Sequence, residues 1–176
     1  MVDPSPYARL EERLAAEGVR ITTLAAEGLE EPVLRQVCGL HNACLRDIPR
    51  RDEHEDIPYA AWVALMLDGP NAMPEATFLA TDGGAYVGMS ALDRRGPAGA
   101  LHQGFTGVLP SHRGCGIATV LKLRAIAHAR DLGVLTIHTR QHASNAPMLH
   151  LNARLGFRRG PADIQLEKPL RSFSTH

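Results

Sequence analysis

The chain has 176 residues, 44% of them hydrophobic, enough for one globular domain with a full core. Lysine plus arginine and aspartate plus glutamate balance at 19 each, so no global charge draws it to nucleic acid or an anionic membrane surface. No apolar run approaches the ~20 residues needed to cross a bilayer, and the prolines and acids of "MVDPSPYARLEERL" do not read as a signal peptide.

Residues 5–17 are predicted as an amphipathic helix ended by Gly18, and β-rich "VRITTLA" (19–25) as the first strand. A helix follows over 32–46, opened by Pro32, with Val33, Val37, Leu40 and Leu45 at helical spacing. The charge-dense "RDIPRRDEHED" reads as a loop and 59–67 as a second short helix. "ATFLATDGGAYVGMSAL" is a hairpin signal, two apolar strands about a D-G-G turn. "GPAGA" loops into a strand over 101–109, which Pro110 ends.

A helix over 116–132 is closed by Gly133, and "VLTIHT" (134–139) is a strand. Asn145 caps a helix that tolerates Pro147 in its first turn and runs to Leu155, with Gly156 at its end. "FRRG" and "DIQLEK" are expected as short closing strands. The order gives a mixed α/β sheet, with no repeat, linker or low-complexity tract to mark a second domain within 1–176. Cys38, Cys44 and Cys115 are odd in number and lack metal-ligand spacing, which points to a reduced, cytoplasmic protein. His138 and His142 share no helix face, so no metal pair is expected.

The most loaded junction is "HRGCGIATVLKLRAIAHA" (112–129). It matches neither GxxxxGK[ST] nor a full dinucleotide fingerprint. Even so, a glycine-opened helix start presents unpaired amide N–H groups, a natural seat for an anion. A second strand end followed by a helix at Asn145 makes a crevice at the carboxyl edge of the sheet. Taken alone, the glycines could equally just start a helix, with Arg113 a solvated charge.

"TGVLPSHRGCGIATVLKLRAIAHARDLG" followed by "NAPMLHLNARLGF" resembles the Gcn5-related N-acetyltransferase (GNAT) family. The family's arginine–x–x–glycine–x–glycine/alanine signature falls on Arg113, Gly116 and Ala118. The resemblance implies a single domain whose mostly antiparallel, twisted sheet has a central splayed parallel strand pair and flanking helices. It makes 101–157 the acyl-CoA core and 1–18 a helical extension. Acetyl-CoA is the implied co-substrate. Its pyrophosphate would lie in the loop of Arg113, Gly114, Cys115, Gly116, Ile117, Ala118 and Thr119, and its pantetheine would pair with Val108 and Leu109. Asn145 matches a position that commonly bonds the cofactor arm. Family members often dimerise through the last strands, which would involve "DIQLEK".

The implied reaction is direct attack of a primary amine on the thioester in a ternary complex, the carbonyl polarised by the N–H of Val108 or Leu109. The amine starts mostly protonated, so a base or a water relay is needed. His102 falls where some members carry a catalytic glutamate, and Gln103 beside it cannot serve. Where many members have a tyrosine acid, this chain has Asn152, whose amide cannot release a proton at neutral pH. Glu53, Glu55 and Asp56, around His54, would attract a cationic acceptor. Cys115 reads as loop filler, because the backbone carries such a site, and Trp62 as core or pocket wall. Alternatives to a small-molecule N-acetyltransferase are a protein N-terminal or lysine acetyltransferase, a non-catalytic acyl-CoA-binding module and a plain structural domain.

Overall fold

The hairpin turn carries Gly83 and Gly84 at φ +54° and +86°, a backbone that L side chains rarely adopt. It folds β2 (Thr77–Asp82) onto β3 (Ala85–Asp93), as expected. The computed structural model describes residues 5–48 and 55–160. Within them β1 (Val19–Thr23) pairs antiparallel with β2, and β3 with β4 (Ala100–Val108). β4 pairs in parallel with β5 (Thr136–Thr139), giving the sheet order β1-β2-β3-β4-β5.

Several boundaries differ from the sequence reading, each for a local reason. β1 stops at Thr23 because its hydroxyl accepts the Ala26 N–H at 3.2 Å and caps the short α2 (Leu24–Glu27). α3 (Glu31–Leu45) follows, then α4 (Tyr59–Val63), whose chain continues as a π-helical turn over Ala64–Asp68. α5 (Ile117–Asp131) ends with Gly133 N–H on the Arg130 carbonyl and Val134 N–H on the Ala129 carbonyl. Val134 is thereby committed to closing a helix, and β5 starts only at Thr136. α6 (Ala146–Arg154) closes in the same way, through Gly156 and the Phe157 N–H on the Asn152 carbonyl. Residues 157–160 are irregular, correcting the strand expected at "FRRG"; "DIQLEK" lies outside the described residues.

Side chains alternate across the pleat and build two cores. On one face Val19, Phe78, Leu92, Leu101 and Val108 pack with Leu14 of α1 (Ser5–Ala16) and with Ile117 and Leu121 of α5. On the other, Leu79 and Met89 pack with Leu24, Leu34, Val37 and Trp62, so Trp62 is core. Each such apolar side chain contributes about 1.5–3 kcal/mol by burial. The N-terminal helix packs against α5: Glu11 pairs with Arg124, and Arg13 donates to the Cys115 carbonyl at 2.7 Å.

Two positions expose the tolerances of this packing. A Cβ on Gly107 would sit 2.6 Å from the Cys44 Cβ of α3, so glycine there lets the helix approach β4. Lys122 of α5 is fully buried, its Nζ without a hydrogen-bond partner among the described residues and 5.0 Å from the centre of the Phe157 ring. Burial pushes its pKa down to about 8.

Replacing Gly107 by alanine is expected to cost about 1–3 kcal/mol through overpacking, read as a lower urea midpoint. For Lys122 the unfolded chain holds its proton up to the ordinary value of 10.5 and the folded chain only to about 8. Between those values the unfolded state binds more protons, so stability rises with pH there. Below pH 8 the full penalty stands, on the order of 3 kcal/mol. Lys122→Met is therefore expected to be more stable at pH 7 and to lose that part of the rise. Parallel urea titrations of the two proteins at pH 7–10 measure it, and curves separated by a constant offset would refute it.

Candidate active site at the β4–β5 splay

The parallel ladder stops early. Its last pair is Gln103 with Thr139, yet β4 continues to Val108. The cause is a bulge: Ala91 faces Phe105 while Leu92 faces Gln103, leaving Gly104 as the extra residue. The buried Gln103 amide holds this irregularity together, donating to Ser90 Oγ at 2.9 Å, the Ala91 carbonyl at 3.1 Å and the Phe105 carbonyl at 3.4 Å. Thr139 Oγ1 donates to the Gln103 carbonyl at 3.1 Å, tying β5 at the point of divergence.

Beyond the bulge one edge of β4 is open. The Leu109 N–H bonds the Val87 carbonyl at 2.9 Å, so of the two expected carbonyl polarisers Leu109 is already engaged. Antiparallel alternation then turns the Val108 N–H and both backbone groups of Thr106 away from β3, toward the gap. The Val108 carbonyl on that edge accepts Arg113 Nε at 2.9 Å. Thr106 escaped the sequence reading because its contribution is backbone direction, set by the register with β3.

At the end of β4, Pro110–His112 forms a 3-10 turn and the chain enters α5 through Gly114 and Gly116, at φ +82° and +104°. A Cβ on Gly116 would meet Leu10 Cδ1 at 2.7 Å. The first backbone bond into the helix runs from Val120 to Gly116. The amides of Gly114, Cys115, Gly116, Ile117, Ala118 and Thr119 have no acceptor among the described residues. Ile117 and Val108 bury their side chains in the core, so only their backbones serve the site. The Cys115 thiol donates to the His112 carbonyl at 2.9 Å. The Arg113 guanidinium turns back: besides Val108 it binds Asp47 at 2.5 Å, an ion pair half exposed on both sides.

His102 lies just before the bulge, opposite Asp93 of β3 and His138 of β5. Its Nδ1 is 3.1 Å from Asp93 Oδ2. Asp93 also accepts the Arg95 N–H at 2.9 Å, Arg95 Nε at 3.0 Å and Arg95 Nη2 at 2.7 Å. Burial works to raise the Asp93 pKa, but the bonds from Arg95 and His102 outweigh it and hold the carboxyl below its ordinary value. A Cβ on Gly104 would fall 2.6 Å from Asp93 Oδ2 and 3.6 Å from His102 Nδ1, so the bulge glycine makes room for the cluster. The same face carries Phe105, edge-on to the buried His41 ring at 4.1 Å. Burial pushes His41 down to about 4, leaving a neutral imidazole near neutral pH.

Asn145 caps α6, its Oδ1 accepting the Met148 N–H at 3.3 Å. Asn152 is buried on α6 with Oδ1 unpartnered. In the acidic loop, Asp56 is engaged by Arg46 through two bonds of 3.0 and 2.5 Å, Glu55 is exposed, and Glu53 lies outside the described residues. Among the described residues no helix is long and apolar enough to span a membrane, and no group of three or more candidate ligands can hold a metal ion.

The model of the acetyltransferase (GNAT) family matches residues 35–157. A mycothiol acetyltransferase from Thermomonospora curvata is 33% identical over 95% of this chain and 61% of its own length. A second, from a Parafrankia species, is 33% identical over 43% of this chain and 23% of that protein. The chain thus spans less than two thirds of the curated relatives it matches. Among solved structures, aminoglycoside N-acetyltransferase AAC(6')-Iy, in complex with a CoA bisubstrate analogue, superposes with TM-score 0.63 at 18% identity over 86% of this chain and 99% of that one. The ribosomal-protein-S18-alanine N-acetyltransferase of Escherichia coli gives 0.61 at 17% identity over 81% and 79%. The sheet order, the parallel β4–β5 pair and the matched stretch from α3 to Phe157 agree: the chain belongs to the acetyltransferase (GNAT) family.

Proposed function

We propose that this protein is an acyl-CoA-dependent N-acetyltransferase that moves the acetyl group of acetyl-CoA to the primary amine of a small molecule by direct attack. One observation carries the reading: a run of unpaired amides, Gly114 to Thr119, lies beside an open strand edge at Thr106 and Val108. A diphosphate needs the first, and the amide-rich pantetheine arm needs the second. The acetyltransferase names of the relatives support it, and the small-molecule acceptors that several of those names carry favour a small amine.

In this reading the Thr106 N–H polarises the thioester carbonyl, and the Val108 N–H, two residues along the same edge, pairs with the pantetheine arm. The amine nitrogen attacks the carbonyl carbon, the carbon–sulfur bond breaks, and CoA leaves as a thiolate. A thiol of pKa about 8.5 departs without an acid, so Asn152 need only donate a hydrogen bond through its amide. The amine proton passes to His102 through water, because the strand rises about 3.3 Å per residue and sets Thr106 well beyond direct reach. Asn145 keeps its Nδ2 for the cofactor arm, its Oδ1 serving the helix cap. Three free cysteines fit a cytoplasmic setting.

Arg113 must exchange Asp47 for the diphosphate, so the two residues should have opposite effects. Calorimetry with acetyl-CoA and desulfo-CoA is expected to show micromolar binding. Arg113→Ala should weaken it about tenfold, or ~1.4 kcal/mol, and Asp47→Asn should strengthen it. Turnover is read as thiol release with glucosamine and neamine as acceptors. Wild-type protein that binds neither CoA ligand would remove the transferase reading.

A further inference from the structure

Asp93, His102 and His138 lie side by side on one face across three adjacent strands, at the point where β4 and β5 part. Asp93 is oriented before any substrate arrives, since Arg95 binds both of its oxygens and its side chain is only 15% exposed. Held below its ordinary pKa, it is a carboxylate and can only accept hydrogen bonds. The 3.1 Å contact therefore requires His102 to carry a proton on Nδ1. A neutral imidazole protonated there has its lone pair on Nε2.

We propose that Asp93, clamped by Arg95, is a positioning residue that fixes His102 as its Nδ1–H tautomer and so makes Nε2 the nitrogen that receives the amine proton. The catalytic part of this rests on the reading of His102 as the base. In the step, the proton leaves the attacking amine for the first of a chain of waters, and the last of them gives up the proton that forms the new N–H bond at Nε2. The imidazolium then faces the Asp93 carboxylate, which offsets its charge. Among the described residues, the other charged or titratable groups whose contacts place them on this face are Arg95, bonded to Asp93, His138, opposite His102 on β5, and His41 of α3, which packs on Phe105. Arg95 is committed to Asp93, and His41 stays neutral in the working range. His138 is exposed.

The placement also explains the glycine in the bulge. Any side chain at 104 would collide with the Asp93 carboxylate, so the residue that opens the splay also admits the carboxylate–imidazole pair beneath it.

Asp93→Asn keeps the size of the side chain but offers an amide whose N–H can face Nδ1 and reverse the tautomer. Long-range 1H–15N correlation spectra of the histidine rings, with the His102 signals assigned by their loss in His102→Gln, read this without any turnover. Wild type is expected to show Nδ1 protonated and Nε2 bare, and Asp93→Asn a reversed or mixed pattern. Kinetics with the same acceptors should then show kcat reduced about 10–100-fold and the affinity for acetyl-CoA unchanged. A ring pattern identical in the two proteins would overturn the positioning role. Wild-type kcat retained in His102→Gln would instead remove His102 as the base, and with it any catalytic role for Asp93.

Discussion

The bulge at Gly104 is the constraint on which the site depends. A sheet of five paired strands has no room for a substrate arm between neighbours, because each backbone polar group already has a partner. One extra residue in β4 ends the parallel ladder at Gln103 and Thr139 and frees the strand edge beyond. Such an irregularity costs backbone pairing, and the Gln103 side chain restores part of it by bonding the Ala91 and Phe105 carbonyls. The buried glutamine is thus a support for the opening, and Ser90 and Thr106, 3.0 Å apart, extend its network across the two strands.

The second half of the site is a helix start. α5 begins where two positive-φ glycines swing the chain from Pro110–His112 into the helix, leaving six successive amides without an acceptor among the described residues. The N-terminal helix supports this turn from behind: Leu10 fills the space over Gly116, and Arg13 holds the Cys115 carbonyl. The helix that precedes β1 therefore shapes the loop that opens α5. Arg113 is poised but paired, its charge balanced by Asp47 at the end of α3. A diphosphate replacing that carboxylate would link the cofactor seat to the α3 side of the sheet, the face that carries His41, Phe105 and His102.

Lys122 shows that the core around the site is not optimised for stability alone. A buried ammonium without a hydrogen bond costs free energy at neutral pH, and the Phe157 ring offers only partial compensation. Asn152, on the helix that ends at Phe157, is likewise buried with an unused carbonyl oxygen. Other buried polar atoms without a partner among the described residues, on His41, Trp62, Gln103 and His128, are spread over both faces of the sheet.

The alternation of strands and helices from β1 to α6, the hairpin and the glycine-opened helix were legible from the chain itself. Each depends on local chemistry: alternating apolar residues, glycines where φ is positive, caps at helix ends. The joint spacing of Arg113, Gly116, Ala118 and Asn145 added the family and its co-substrate. Tertiary structure alone decided which backbone groups are free. That Leu109 is spent on Val87 while Val108 and Thr106 face the gap follows from register, and a register is a relation between strands. The same holds for Asp93 beside His102, for Asp47 on Arg113 and for the burial of Lys122. These contacts join residues that no local pattern brings together, and only the packing of the sheet between its two helical layers sets them at bonding distance.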